Sequence, residues 1–121
     1  MRHFTHPAFH DVVRLEFEHA EQLRLLREFR ALLEAGEAAT EQRERLLAYN
    51  RSHFQLEEML MEEHAYPDSA GHADEHAEIL EAMTRLTDEK SVQECSTRLK
   101  RHNGERDARL ARFLDRRDAF R

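Results

Sequence analysis

Apolar residues recur at intervals of three and four in four separate segments of the chain, the spacing of one face of an amphipathic α-helix. We predict helices at about residues 11–35, 40–64, 70–87 and 89–119, preceded by a short N-terminal arm of residues 1–10. Four helices with short connections predict an all-α fold. The expected architecture is an up-down-up-down four-helix bundle, which forms one domain over residues 1–121.

Helix-ending and helix-capping residues stand between these segments. Gly36 follows the first segment, and Pro67 prevents the second helix from continuing into the third. Thr40 is the predicted N-cap of the second helix, and Asp68 or Ser69 that of the third. These signals predict the helix boundaries independently of the apolar spacing.

Polar residues interrupt the apolar stripes at positions where leucine would be the simple choice. A lone inward-facing histidine is usually a hydrogen-bonded core residue, but here several occur near the middle of the helices. An unpaired buried carboxylate such as Glu57 would cost several kcal/mol, a cost that a bound cation removes. The inward-facing residues that can bind metal are His19, His53, Glu57, His72, His76, His102 and Asp107.

Composition supports the helical prediction and narrows the function. The chain has three Gly and two Pro, and 36% of its residues are charged. Its net charge of −6 argues against general affinity for nucleic acid. Nine Lys/Arg against four Asp/Glu give the last 24 residues a local charge of +5, which suits a helix C-terminus.

The sequence also indicates a compartment. No apolar run approaches the roughly 18 residues of a membrane span, and the N-terminus lacks the apolar core of a signal peptide. The single cysteine, Cys95, excludes an internal disulfide and suits a reducing environment. We therefore expect no membrane partner and a cytoplasmic location.

The spacing of the candidate ligands constrains their geometry. His53 and Glu57, like His72 and His76, are four residues apart and share a helix face. His102 and Asp107 are five residues apart, which separates them by about 140° on a regular helix. They must approach one site from two flanks, or the helix must loosen locally, which the neighbouring Asn103-Gly104 pair would allow.

Five imidazoles and two carboxylates are too many for one ion and suit two ions bridged by the carboxylates. With one shared oxide or hydroxide, three imidazoles complete six-fold coordination at one ion. Two imidazoles leave the other ion five-coordinate, with one open position. This donor set suits iron among the redox metals. Dioxygen, peroxide, azide and nitric oxide have the right size for the open position.

These motifs resemble those of the hemerythrins, in particular the small bacterial single-domain members. The chain from about residue 12 to 114 carries the pattern: Glu18-His19, His53-Phe54-x-x-Glu57-Glu58-x-x-Met61, Tyr66-Pro67, His72-x-x-x-His76 and His102-x-x-x-x-Asp107. The related branch ending in His-x-x-x-Glu fits less well, because Arg106 occupies that Glu position. The resemblance implies a non-haem di-iron centre that binds dioxygen reversibly, for storage or transport.

The resemblance also implies a role for each ligand. His72, His76 and His102 would hold the saturated iron, whereas His19 and His53 would hold the iron with the open position. Glu57 and Asp107 would bridge the two ions. An apolar wall would exclude water from the site; it is expected at Leu23, Leu26, Met61 and Leu99.

Three departures from the family pattern make the expected pocket more polar. Arg98 stands where Trp is common, Asn103 follows the last histidine where an apolar residue is usual, and Gln22 lies one turn after His19. A wetter pocket should autoxidise faster than that of a dedicated carrier. The alternatives are a di-iron enzyme that handles peroxide or nitric oxide, and an oxygen or redox sensor. A metal-free interaction bundle would leave Glu57 and Asp107 buried without a cation.

Overall fold

The computed structural model describes the backbone of residues 7–119 and the side chains of residues 13–116. Within these residues the protein is all-helical, with no strand. Three helices are continuous: α1 Pro7–Glu34, α2 Thr40–Glu63 and α3 Ser69–Thr84. The fourth is divided by a π-helical turn, Asn103–Asp107, into α4 Glu89–His102 and α5 Ala108–Ala119.

The first helix begins earlier than the apolar spacing predicted. It starts at Pro7 instead of Asp11, because proline is well suited to the first helical position, where its missing N–H is not needed. The predicted arm is therefore shortened, and residues 1–6 lie outside the described residues. The helix ends at Glu34, and Gly36 follows with φ +72°.

The second helix ends in a turn that a glycine would normally occupy. Ala65 has φ +52°, and the Tyr66 N–H donates to the Met61 carbonyl at 2.8 Å across it. This 6→1 hydrogen bond is typical of a Schellman C-cap. The predicted N-cap at the other end was wrong, because Thr40 is already helical and Ala39 precedes it without a side-chain cap.

Asp68 and Asp88 occupy the N-cap positions of α3 and α4, but only Asp88 caps its helix. Asp88 forms a capping box with Ser91, whose N–H it accepts at 2.8 Å. Asp68 makes no capping hydrogen bond, contrary to prediction, and its carboxylate instead pairs with Arg106 at 2.9 Å. An ion pair with the last helix thus replaces the local cap.

The helices pack as a bundle in which α2 contacts α1 and α3, α4 contacts α3 and α1, and α5 contacts α1. Two apolar clusters fill the interior. We call them the large cluster, which includes Leu26, Phe29, Leu46, Ile79, Met83 and Leu99, and the small cluster of Leu15, Leu60, Met61, Tyr66, Leu110 and Leu114. On every helix the candidate metal ligands lie in sequence between members of the two clusters. The polar residues therefore form one layer across the bundle.

Among the described residues, no helix is long and apolar enough to cross a membrane.

Candidate metal centre

All seven predicted ligands meet in this polar layer. They form two groups, in each of which the ligand atoms lie within 4.8 Å of one another. The larger group has five residues and the smaller has four, and both include Glu57 and Asp107. The members are Glu57, His72, His76, His102 and Asp107 in the larger group, and His19, His53, Glu57 and Asp107 in the smaller.

Asp107 divides its two oxygens between the groups. Its Oδ2 lies 2.7 Å from His19 Nε2. Its Oδ1 lies 2.8 Å from His72 Nε2 and 3.0 Å from His102 Nε2. One carboxylate therefore faces both sets of imidazoles at once, as a bridging ligand must.

Glu57 divides its oxygens in the same way. Its Oε2 lies 3.0 Å from His53 Nε2 and 3.7 Å from His19 Nε2. Its Oε1 lies 2.8 Å from His76 Nε2 and 3.3 Å from His72 Nε2. Each of the five imidazoles thus points its Nε2 atom at a shared carboxylate.

The π-helical turn explains how His102 and Asp107 reach the same site. In a π-helix the repeating hydrogen bond joins residues five apart, so residues at that spacing lie one turn apart. The turn covers Asn103–Asp107 and includes the Asn103-Gly104 pair, at which local loosening of the helix was predicted. It brings Asp107 Oδ1 within 3.0 Å of His102 Nε2. Such turns occur frequently at functional sites.

The polar atoms of the layer lack sufficient protein partners. His53 Nε2, His102 Nε2 and Glu57 Oε2 are buried and have no hydrogen-bond partner among the described residues. Two donors at right angles on one ion, with bonds of about 2.1 Å, lie about 3.0 Å apart. That is the separation of His53 Nε2 from Glu57 Oε2. The donor set therefore fits a bound cation.

Three further carboxylates orient the imidazoles from outside. Each accepts from an Nδ1 atom: Glu18 from His53 at 2.7 Å, Glu58 from His76 at 2.7 Å, and Glu75 from His102 at 2.6 Å. Such contacts fix the ring and leave Nε2 free to bind metal. Glu18 is adjacent to His19 in sequence, yet the structure places its carboxylate against His53. The contacts of Glu58 and Glu75 were not predicted.

Arg106 extends this outer set. Its Nε lies 3.1 Å from Glu75 Oε1, the oxygen that accepts from His102, and its Nη1 lies 2.9 Å from Asp68 Oδ2. Gly71 leaves room for this ion pair, because a Cβ there would meet Asp68 Oδ1 at 2.9 Å and Arg106 Nη1 at 3.2 Å. Arg106 thus connects the π-helical turn to Glu75 on α3 and to Asp68 just before α3.

Electrostatics link the imidazoles and carboxylates. Burial opposes protonation of the imidazoles, but contacts with Asp107 and Glu57 outweigh it and raise the pKa of His53 and of His102 to about 10. Burial also favours the neutral acids, yet the surrounding imidazoles lower the pKa of Asp107 and hold that of Glu57 well below its usual value. Without a cation, protonated His53 and His102 balance the charges of Glu57 and Asp107. A cation that binds there must displace protons.

An aromatic ring packs against the imidazoles. Phe54 stacks on His76 with ring centroids 4.0 Å apart and planes 9° from parallel, and it also contacts His53 and His102. The ring is 1% exposed and belongs to the large cluster. It therefore keeps one side of the layer apolar.

Two buried amides and one half-buried amide lie beside the layer. Gln22 and Asn50 are fully buried, and Gln22 Nε2 donates to Asn50 Oδ1 at 2.6 Å. Asn103 Nδ2 donates to Gln22 Oε1 at 3.3 Å. Gln22 was predicted to face inward, and the structure places it there. We call Gln22, Asn50 and Asn103 the amide trio.

Three other residues, described next, lie outside both groups of candidate ligands. His64 is buried at the end of α2. Cys95 is buried in the large cluster, and burial raises the pKa of its thiol to about 11, so it is an inert core residue. Arg98 is exposed and pairs with Glu78 on α3 at 3.2 Å.

Comparison of the chain with models of known protein families, with curated protein sequences and with solved structures gave no match.

Proposed function

We propose that this chain is a non-haem di-iron protein of the hemerythrin kind, which binds dioxygen reversibly for storage or transport. The observation that carries the proposal is the division of the Glu57 and Asp107 oxygens between two groups of imidazoles. Each of two ions would take one oxygen from each carboxylate. Imidazole and carboxylate donors together suit iron.

The two groups differ in a way that favours an open coordination position. One ion would have three imidazoles, from His72, His76 and His102, and the other only two, from His19 and His53. The ion with fewer protein donors has room for a small ligand such as dioxygen or azide. When bound, a reduced iron pair supplies the electrons that hold dioxygen.

The chain's own residues would orient and protect this centre. Glu18, Glu58 and Glu75 hold three of the imidazole rings with Nε2 directed inward. An apolar cluster lies on each side of the layer and would limit the access of water. Of the predicted wall, Leu26 and Leu99 lie in the large cluster with Leu23 packed against it, and Met61 lies in the small cluster.

We further propose that the bundle has up-down-up-down topology and that the protein is cytoplasmic. Short connections between the first three helices, at residues 35–39 and 64–68, support the topology. A single buried, reduced cysteine supports the compartment.

Reconstitution with iron tests the proposal. The metal-free chain is loaded anaerobically with ferrous iron, the bound metal is counted, and air is admitted and then removed. Two irons per chain and a visible charge-transfer band that appears and reverses are the expected results. One zinc per chain, with no uptake of a second ion, would refute the di-iron centre.

A di-iron enzyme that handles peroxide or nitric oxide is the second candidate, and a sensor of oxygen or redox state is a third. The amide trio favours the enzyme, because Gln22 and Asn103 put hydrogen-bonding groups next to the layer where apolar residues would protect bound oxygen. Immediate, irreversible conversion to the ferric form, together with turnover of peroxide, would support the enzyme instead of the carrier.

A further inference from the structure

The amide trio lies one helical turn from the smaller ligand group. Gln22 follows His19 by three residues on α1, and Asn50 precedes His53 by three on α2. The His19 and His53 rings are in contact, with centroids 5.2 Å apart, and the Gln22 and Asn50 amides are hydrogen-bonded to each other. The two amides therefore form the layer next to the two imidazoles.

This amide layer and the shared carboxylates lie on opposite sides of the two imidazoles. Glu57 follows His53 by one turn along α2, whereas Asn50 precedes it by one turn. A cation held by His19 and His53 would take its protein oxygens from the Glu57 side. The amide trio lies on the other side of these imidazoles, where neither group of candidate ligands has a member.

One atom of the trio has no partner. Asn103 Oδ1 is buried and accepts no hydrogen bond from any described residue, although the amide nitrogen of the same side chain donates to Gln22. Leaving a buried acceptor unsatisfied is unfavourable, because the atom has lost its water without gaining a donor. A ligand that brings its own N–H or O–H group would satisfy it.

We propose that Asn103 makes the open position selective for small ligands that carry a hydrogen-bond donor, of the class of hydrogen peroxide, over ligands that only accept, such as azide. The inference rests on the proposed di-iron function and names the ligand class that this pocket prefers. Gln22 and Asn50 act as positioning residues, since they hold the Asn103 amide with its oxygen free.

Two probes of the same shape test the selectivity. Azide is linear and lacks a donor, whereas singly deprotonated cyanamide is isoelectronic with azide and keeps one N–H. Both are titrated into the diferric protein, and the dissociation constants are read from the charge-transfer band. Asn103→Leu should lower the ratio of cyanamide to azide affinity by about 5- to 10-fold, the worth of one hydrogen bond.

Further variants complete the test. Asn103→Ala should lower the same ratio and serves if the larger side chain disturbs the fold, which circular dichroism monitors. Gln55→Leu removes an exposed amide elsewhere on α2 and should leave the ratio unchanged.

The outcomes separate this inference from the function on which it rests. An unchanged ratio in both Asn103 variants, or weaker azide binding after Asn103→Leu, overturns the selectivity even when the protein holds two irons and binds azide. Failure to hold two irons overturns the proposed function, and the inference falls with it.

Discussion

Glu75→Gln tests whether the outer carboxylates contribute to metal binding. Glu75 Oε1 lies 2.6 Å from His102 Nδ1 and 3.1 Å from Arg106 Nε, so it connects a candidate metal-binding imidazole to a residue of the π-helical turn. Glutamine keeps the length and the accepting oxygen but removes the negative charge. The substitution therefore lowers the basicity of His102 with little change in shape.

The expected loss of metal affinity follows from the role of carboxylates that hydrogen-bond to a metal-binding imidazole. Removing one typically weakens metal affinity by about 10- to 100-fold, which corresponds to about 1.4–2.7 kcal/mol. We expect the Glu75→Gln value near the upper end, because the contact is short and His102 is 1% exposed. Competition against a chromophoric chelator, with ferrous iron under anaerobic conditions, measures the change.

A matched variant shows whether the loss is specific. Glu78→Gln lies one turn further along α3 and removes a carboxylate that pairs with the exposed Arg98 at 3.2 Å, away from the imidazoles. It should bind iron as the unmodified chain does. Equal affinities for Glu75→Gln and Glu78→Gln, with both variants folded, would refute the assignment of Glu75 as a positioning residue.

The structure supports three further predictions. Ala65 has φ +52°, a conformation that glycine adopts without strain, so Ala65→Gly should raise the free energy of unfolding by about 1 kcal/mol in a denaturant titration. The control is Ala48→Gly at an exposed position within α2, where glycine is a poor helix former and should lower the free energy of unfolding by about as much. The pKa values of His53 and His102 are raised to about 10, so both imidazoles are protonated near neutral pH and must lose a proton when a metal binds. Metal affinity should therefore rise as the pH is raised toward 10. Calorimetry of metal binding in buffers of different ionisation enthalpy measures the released protons, and a result of no proton release would contradict the prediction. Asn103→Leu should slow autoxidation in air, which is measured as the rate at which the absorption band of the oxygen-bound form disappears. If the unmodified chain stays oxygenated for many hours, the link between a polar pocket and rapid oxidation is contradicted.

The ligand layer could be predicted from the sequence because its residues break a regular pattern. His53, Glu57, His72 and His76 are polar residues at apolar positions, and helical spacing alone predicts the face on which each lies. The location of the helix irregularity was also predictable, since His102 and Asp107 cannot share a face of a regular helix. Its π-helical form depends on tertiary packing.

The outer residues could not be assigned in the same way. Glu58 and Glu75 lie among many other glutamates, and nothing in their local spacing separates a carboxylate that accepts from an imidazole from one that is solvated. Glu18 lies next to His19 in sequence, and only the packing of α1 against α2 shows that it contacts His53. The prediction that Asp68 caps α3 was wrong for a similar reason: its carboxylate pairs with Arg106, which lies far away in sequence.

The position of the polar layer between two apolar clusters has a consequence for the alignment of the helices. Sliding α2 or the last helix by a turn would move Glu57 or Asp107 into apolar surroundings, and sliding α1 or α3 would take imidazoles away from these carboxylates. A buried charge that loses its partners costs several kcal/mol. Burial of leucine alone would tolerate more than one alignment. The ligand residues thus select a single register for the four helices, in the way that a buried polar residue selects the register of a coiled coil.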